Sequence, residues 1–194
     1  MPGHEPNEAV HEFLDPLEDA AAVLDGFSKL LVLGKKGLYR VGQIYMWSLN
    51  GEAGMPLRSN DGGDIGIFRA AMHFEVIEAD PAKYGKPYRV TTRGYSYGLE
   101  EKPKRGVAGN DLWRMDWHPN GRSPVDYPHL HIAPNMKAHQ PTPRLTFEKA
   151  VEWCIGFDAK LCCSPQEALS TLLLSETNHR LNRTWNERPG EPVG

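Results

Sequence analysis

Alternating apolar and polar positions run through the middle of the chain. Four such runs, rich in β-branched and aromatic residues, are separated by about eight to ten residues that contain Gly, Pro, Asn or Asp. The runs are residues 67–79, 88–101, 112–118 and 129–134. Connections this short leave no room for a helical crossover between parallel strands. We therefore expect an antiparallel β-meander.

Helical patterns flank these runs. Residues 7–33 favour a helix in two pieces, because Asp15-Pro16 is typical of a helix start. Residues 146–157 and 164–185 predict two more helices, the second with an apolar stripe. That stripe consists of Leu169, Leu172, Leu173 and Leu181. Residues 37–49 predict a further strand, and the glycine-rich residues 50–66 a loop.

These elements predict an α+β fold, an antiparallel β-meander sheet with helices packed on one face. We expect an acidic N-terminal helical segment plus a strand in residues 1–50. The main α+β domain should occupy residues 64–185, and residues 186–194 should form a disordered tail.

The period of two along a strand predicts which side chains share a face. Apolar residues of the four runs, such as Phe74, Trp113, Trp117 and Leu130, should face the core. The opposite face should then carry polar residues from all four strands. They are Arg69, His73, Glu75, Arg89, Thr91, Arg93, Arg114, Asp116, His118, His129 and His131.

This polar set allows three interpretations. Imidazoles move protons near neutral pH and arginines bind phosphate, which favours acid–base chemistry on a phosphodiester. The candidate catalytic residues are Asp116, His118, His129 and His131, and the candidate substrate-binding residues are His73, Arg89, Arg93 and Arg114. Alternatively, His129 and His131 hold a metal ion with His139, Asp116 or His118. The third interpretation is an ordinary solvated sheet face.

Composition limits the function classes. A net charge of -3 argues against a purely electrostatic nucleic-acid binder. No run approaches the ~18 apolar residues that a membrane span needs, so we expect a cytoplasmic protein without a membrane partner. Three clustered cysteines predict reduced thiols, with Cys154 buried in a helix. His139, beyond Pro134, is expected in a loop, and His179 at the surface.

The motif around Asp116 and His118-Pro119, followed by Tyr127-Pro128-His129-Leu130-His131 and the helix that begins "LTFEKAVEW", resembles the TumE-like toxins of prokaryotic toxin–antitoxin pairs. The likeness covers roughly residues 68–157. It implies a small α+β toxin that acts inside the cell on RNA and is neutralised by an antitoxin partner. Asp116, His118, His129 and His131 are the matching positions.

The leading hypothesis is therefore a toxin-like protein that acts on RNA or a nucleotide through a histidine-rich sheet face, a chemistry that requires no cofactor. Two alternatives stay open. One is a non-catalytic interaction protein, such as a phage-encoded or defence-associated binder. The other is a metal-binding hydrolase, with His129, His131 and His139 as the ligands.

Overall fold

The structure is a computed structural model that describes residues 2–34, 37–102, 109–119, 121 and 125–182. The elements, in chain order, are α1 (Pro6–Ala21), β1 (Leu30–Leu33), β2 (Ile44–Leu49), β3 (Met55–Arg58), β4 (Asp64–Glu78), α2 (Pro81–Tyr84), β5 (Tyr88–Glu100), β6 (Asp111–Trp117), β7 (His129–Ile132), β8 (Asn135–Pro141), α3 (Phe147–Gly156) and α4 (Pro165–Asn182). The expected terminal tail, residues 186–194, lies outside the described residues.

The eight strands form one antiparallel sheet in the order β1-β2-β4-β5-β6-β7-β8, with β3 paired to β4 beyond the end of β2. Strands β4 to β8 follow one another as a meander, which confirms the predicted α+β architecture. Because β2 pairs with β4, the segment 1–50 and the segment 64–185 share this sheet.

The core lies between one face of the sheet and helices α1, α3 and α4. Phe147 of α3 packs its ring against Trp47 and Phe68, while Phe13 of α1 packs against Phe74. All five rings are buried, as the alternating pattern requires. Burial of such aromatic surface is the main stabilising contribution of this layer. The same alternation turns the polar residues to the other side of the sheet.

The N-terminal helical prediction was wrong in two respects. Helix α1 runs without a break through Pro16, and residues 22–33 continue into the strand β1 rather than a second helix. Proline in a helix interior removes one backbone hydrogen bond. Here the apolar residues around it, Phe13, Leu14 and Leu17, are buried, which offsets that cost.

Two strands lie where loops were expected. Strand β3 falls within the predicted loop 50–66, where Met55 and Leu57 are buried at alternate positions. Strand β8 pairs with β7 directly after the turn at Pro134, so the expectation that His139 lies in a loop was wrong. Mostly exposed polar residues make up β8, and they give no apolar alternation to detect.

Helix α4 begins at Pro165 as predicted, but its stripe was only partly right. Leu172 is buried, whereas Leu169, Leu173 and Leu181 are exposed. His179 is buried rather than at the surface. None of the described helices is long and apolar enough to cross a membrane.

Candidate metal centre and its polar face

We call the side of the sheet opposite the helices the polar face. Strand register places its residues in rows across neighbouring strands. One row consists of Ser48, Ala71, Ser96, Asp116 and His129, and the row beside it of Arg69, Gly98, Arg114 and His131. A third row, on the other side of the first, contains Met46, His73 and Gly94. The alternation therefore brings the predicted acids, arginines and histidines to one surface.

Three histidines meet at one edge of this face. His129 and His131 lie on β7 and His139 on β8, and each offers a ring nitrogen within 4.8 Å of those of the other two. Their ring centroids are separated by 4.7–4.9 Å. His129 and His131 are buried, whereas His139 is exposed. We call this group the histidine triad.

The backbone orients His129. Its Nδ1 lies 2.8 Å from the carbonyl oxygen of Tyr127. Because a carbonyl only accepts, Nδ1 carries the hydrogen and donates it. The lone pair is therefore on Nε2. In a typical metal-binding histidine, one ring nitrogen binds the metal and the N–H of the other donates to a group such as a backbone carbonyl.

His131 lies beside a carboxylate. Its Nε2 faces Asp116 Oδ2 at 3.6 Å, and that same oxygen accepts a hydrogen bond from Arg114 Nε at 2.5 Å. The other nitrogen of His131, Nδ1, is buried and has no hydrogen-bond partner among the described residues. The side chain is only 3% exposed, so bulk solvent does not reach this atom. A metal ion beside Nδ1 would supply the missing partner.

The protonation state of His131 also favours its assignment as a metal ligand. Burial and the nearby charge of Arg114 lower the pKa of His131, although Asp116 acts in the opposite direction. His131 is therefore neutral at pH 7, which is the form that binds metals.

Asp116 connects the triad to His118. Burial acts to raise the pKa of Asp116, but His118, Ser96 and Arg114 outweigh it and lower the pKa to about 2. Its Oδ1 lies 3.8 Å from Nε2 of His118, a side chain that is 41% exposed. The ionised carboxylate thus lies between a buried candidate ligand and an accessible imidazole that can exchange protons with solvent.

The remaining predicted site residues lie elsewhere on the face. His73 lies opposite Gly94 in the third row, and burial, followed by the proximity of His118, lowers its pKa. Arg93 forms an ion pair with Glu75 at 2.6 Å. Arg89 lies farther along β5, is 1% exposed, and has its guanidinium carbon 3.8 Å from the ring centre of Tyr84. Arg89 is therefore too deeply buried to contact a ligand in this arrangement.

Sequence reasoning missed the small residues between these polar groups. Ala71 has the same strand parity as Arg69 and His73, so the period of two identifies it, but it carries no titratable group. Ser96 and Gly98 do not share the parity of Arg89 and Arg93 on β5. They reach the polar face because the β4–β5 register shifts by one residue at Arg93, which leaves no signal in the sequence. The Tyr127 carbonyl, a backbone atom, leaves no signal in the sequence.

The residues fit a zinc-type ion. Three imidazole nitrogens with a fourth open position are a known catalytic zinc arrangement. Zinc–nitrogen bonds of about 2.0–2.1 Å in a tetrahedron require the nitrogens to lie about 3.4 Å apart, so separations of up to 4.8 Å must shorten by as much as about 1.4 Å. Exposure of His139 gives its side chain the freedom to make that adjustment.

Comparisons of the chain with protein-family models, with curated proteins and with solved structures found no match. The resemblance to TumE-like toxins therefore stays a prediction that rests on the motif alone.

Proposed function

We propose that the protein is a metal-dependent hydrolase with His129, His131 and His139 as the metal ligands. The observation that carries this proposal is the surroundings of the two buried histidines. His129 donates Nδ1–H to a backbone carbonyl, and His131 faces Asp116 through Nε2 while its buried Nδ1 has no described partner. Three histidines on a solvated sheet face would need neither feature.

A divalent ion at the triad would act as a Lewis acid and lower the pKa of coordinated water toward neutrality. Hydrolysis of a phosphodiester adds the hydroxyl of water to phosphorus, breaks one P–O bond and delivers a proton to the leaving oxygen. His118 is exposed and lies beside Asp116, which suits it to deliver that proton. Asp116 would position both His118 and His131.

The substrate class comes from the motif resemblance and from the phosphate-binding chemistry of arginine. We propose RNA or a nucleotide as the substrate, the cytoplasm as the place of action, and an antitoxin as the partner. Arg114, in the row of His131, is the arginine next to the triad, and its guanidinium is paired with Asp111 and Asp116.

Exposed histidines provide a matched test of the metal ligands. His139→Ala should lose stoichiometric zinc binding, whereas His11→Ala, an equally simple change at an exposed histidine of α1, should retain it. Zinc is measured by calorimetric titration after dialysis against a chelator. We expect one equivalent of zinc per wild-type chain and cleavage of an RNA oligonucleotide that stops when the chelator is added.

Wild-type protein that binds no zinc, or that binds it as tightly after His139→Ala, would contradict the metal centre. Stoichiometric zinc without any cleavage, together with a co-purifying protein partner, would instead favour the non-catalytic interaction protein.

A further inference from the structure

A cavity of about 270 Å³ opens on the polar face next to the histidine triad. Its floor contains Ala71, Ser96 and Gly98, which lie on the adjacent strands β4 and β5. The small side chains of Ala71 and Ser96 leave a low floor, and the side-chain stem of Arg114 borders Gly98, where a Cβ would lie 3.3 Å from Arg114 Cγ. A low floor beside this stem fits a planar ring better than a branched or bulky group. We call this cavity the slot.

Two arginines form the walls of the slot. Arg69 and Arg114 lie on either side of Gly98 in the same row, two strands apart. Both guanidinium groups are already paired: Arg69 with Glu100 at 2.7 Å, and Arg114 with Asp111 at 2.8 Å as well as with Asp116. These carboxylates balance the positive charges and hold the guanidinium groups in place. Such groups favour contact with a planar ring over capture of a free anion.

The polar groups of the slot favour a ligand with N–H donors. The rim carries three carboxylates, from Glu52, Glu100 and Asp111, against the two arginines. Ser48 also lines the slot, is only 7% exposed, and its Oγ has no hydrogen-bond partner among the described residues. A buried polar oxygen without a partner points to a ligand atom that forms the missing hydrogen bond.

From these features we infer that the slot binds a guanine base. Guanine is planar, offers adjacent N–H donors on its Watson–Crick edge for carboxylate acceptors, and presents O6 and N7 as acceptors for arginine. Uracil lacks the amino group and has fewer donors for this rim. Arg114 lines the slot and pairs with His131 in the strand register, so the slot lies beside the triad.

The spacing relates the slot to the proposed hydrolysis. Gly98 and His131 are two strands apart in one row, a separation of about 10 Å. A guanine in the slot would therefore direct its attached sugar and phosphate toward the histidines. This part of the inference rests on the proposed function; binding of the base itself does not.

The test measures binding of guanosine and uridine by calorimetry. Wild-type protein should bind guanosine at least about tenfold more tightly than uridine. Ala71→Leu fills the floor and should weaken guanosine binding at least about tenfold, because the base loses its stacking surface. Ala82→Leu makes the same change on an exposed turn of α2 and should leave binding unchanged.

Ser48→Ala serves as a second variant, because it removes only one oxygen and is expected to fold. It should weaken guanosine binding about threefold to tenfold through the lost hydrogen bond. Equal affinity for the two nucleosides, or affinity that neither slot variant changes, would overturn the inference. His139→Ala should still bind guanosine, so failure of the metal centre and failure of the slot give different results.

Discussion

At the scale of single residues, Asp116 holds the candidate site together. Its carboxylate accepts a hydrogen bond from Arg114 and faces both His118 and His131. One buried acid thus lies within 3.8 Å of a candidate ligand on β7 and of an imidazole that follows β6. Carboxylates in this position fix the ring orientation of a ligand and increase its basicity toward the metal.

Asp116→Asn should weaken zinc binding about 10-fold to 100-fold, because an amide orients His131 less strongly than a carboxylate does. Competition with a chromophoric chelator measures this affinity. Asp64→Asn is the matched control, since Asp64 is an exposed acid in an ion pair with Lys102. Unchanged affinity after Asp116→Asn would show that the carboxylate does not support the ligand.

Residue positions on the polar face were predictable, but their burial was not. Alternation alone assigned Asp116, His129 and His131 to one side of the sheet, and the register confirms it. The burial of a side chain depends on which other parts of the chain cover its strand, and no local sequence pattern encodes that. His139 was assigned to a loop because Pro134 suggested that the sheet ended there. Its proximity to His129 arises only from the β7–β8 pairing.

At the scale of elements, a buried polar cluster joins the three larger helices. Glu148 Oε1 of α3 accepts hydrogen bonds from Ser175 Oγ at 2.6 Å and His179 Nδ1 at 2.7 Å, both on α4. The second ring nitrogen of His179 lies 3.1 Å from the carbonyl of Phe13 in α1. Each of these two acceptor oxygens needs a hydrogen from the ring. We therefore place a proton on both ring nitrogens of His179, which makes His179 and Glu148 an ion pair.

This cluster predicts loss of stability in acid. Burial acts to raise the pKa of Glu148, but His179 and Ser175 outweigh it and lower the pKa from its usual 4.5 to about 2. The carboxylate therefore contributes stability that is fully present above pH 4.5 and is lost as the pH falls toward 2. Urea unfolding between pH 7 and pH 3 should reveal a loss of about 2 kcal/mol at most from this carboxylate.

Glu148→Gln should lower the free energy of unfolding at pH 7 and reduce its dependence on pH in this range. The control Glu12→Gln, at an exposed position of α1, should behave as wild type. Equal pH dependence of the wild type and Glu148→Gln would exclude this carboxylate as the source.

Elements with strong periodicity were predicted, and those without it were missed. Strand β4 alternates throughout, and apolar and polar residues alternate in the sequences of β6 and β7, whereas the alternation of β5 changes phase at Arg93. Helix α3 begins at its predicted cap, where Thr146 Oγ1 accepts from the backbone of Lys149. Strand β3 has four residues, one of them Pro56, and its pairing with β4 depends on tertiary contacts. The continuity of α1 through Pro16 likewise depends on burial against other elements, which local propensity does not include.

At the scale of the whole molecule, the two faces of the sheet differ in role. Three helices cover one face and supply the core, whereas the other face carries the triad and the slot. The fold class followed from the order of the elements. The proximity of His129, His131 and His139 did not follow from it, because that proximity depends on how β7 and β8 pair at the edge of the sheet.

The edge position of β8 predicts a local effect of zinc on hydrogen exchange. Opening of β8 would remove His139 from the metal, so zinc at 100 times its dissociation constant should slow exchange of the β8 amides up to about 100-fold. Strand β1, at the opposite edge, is the internal control and should show no change. Exchange in β8 that is the same with and without zinc would show that His139 is not a ligand.

An edge strand that carries a ligand also has a consequence for self-association. Edge strands expose unpaired backbone groups that can add to another sheet. When zinc is scarce, β8 would open more often and offer such groups, together with those of β7, to a neighbouring chain. The supply of zinc would then govern the solubility of the protein on storage as well as its chemistry.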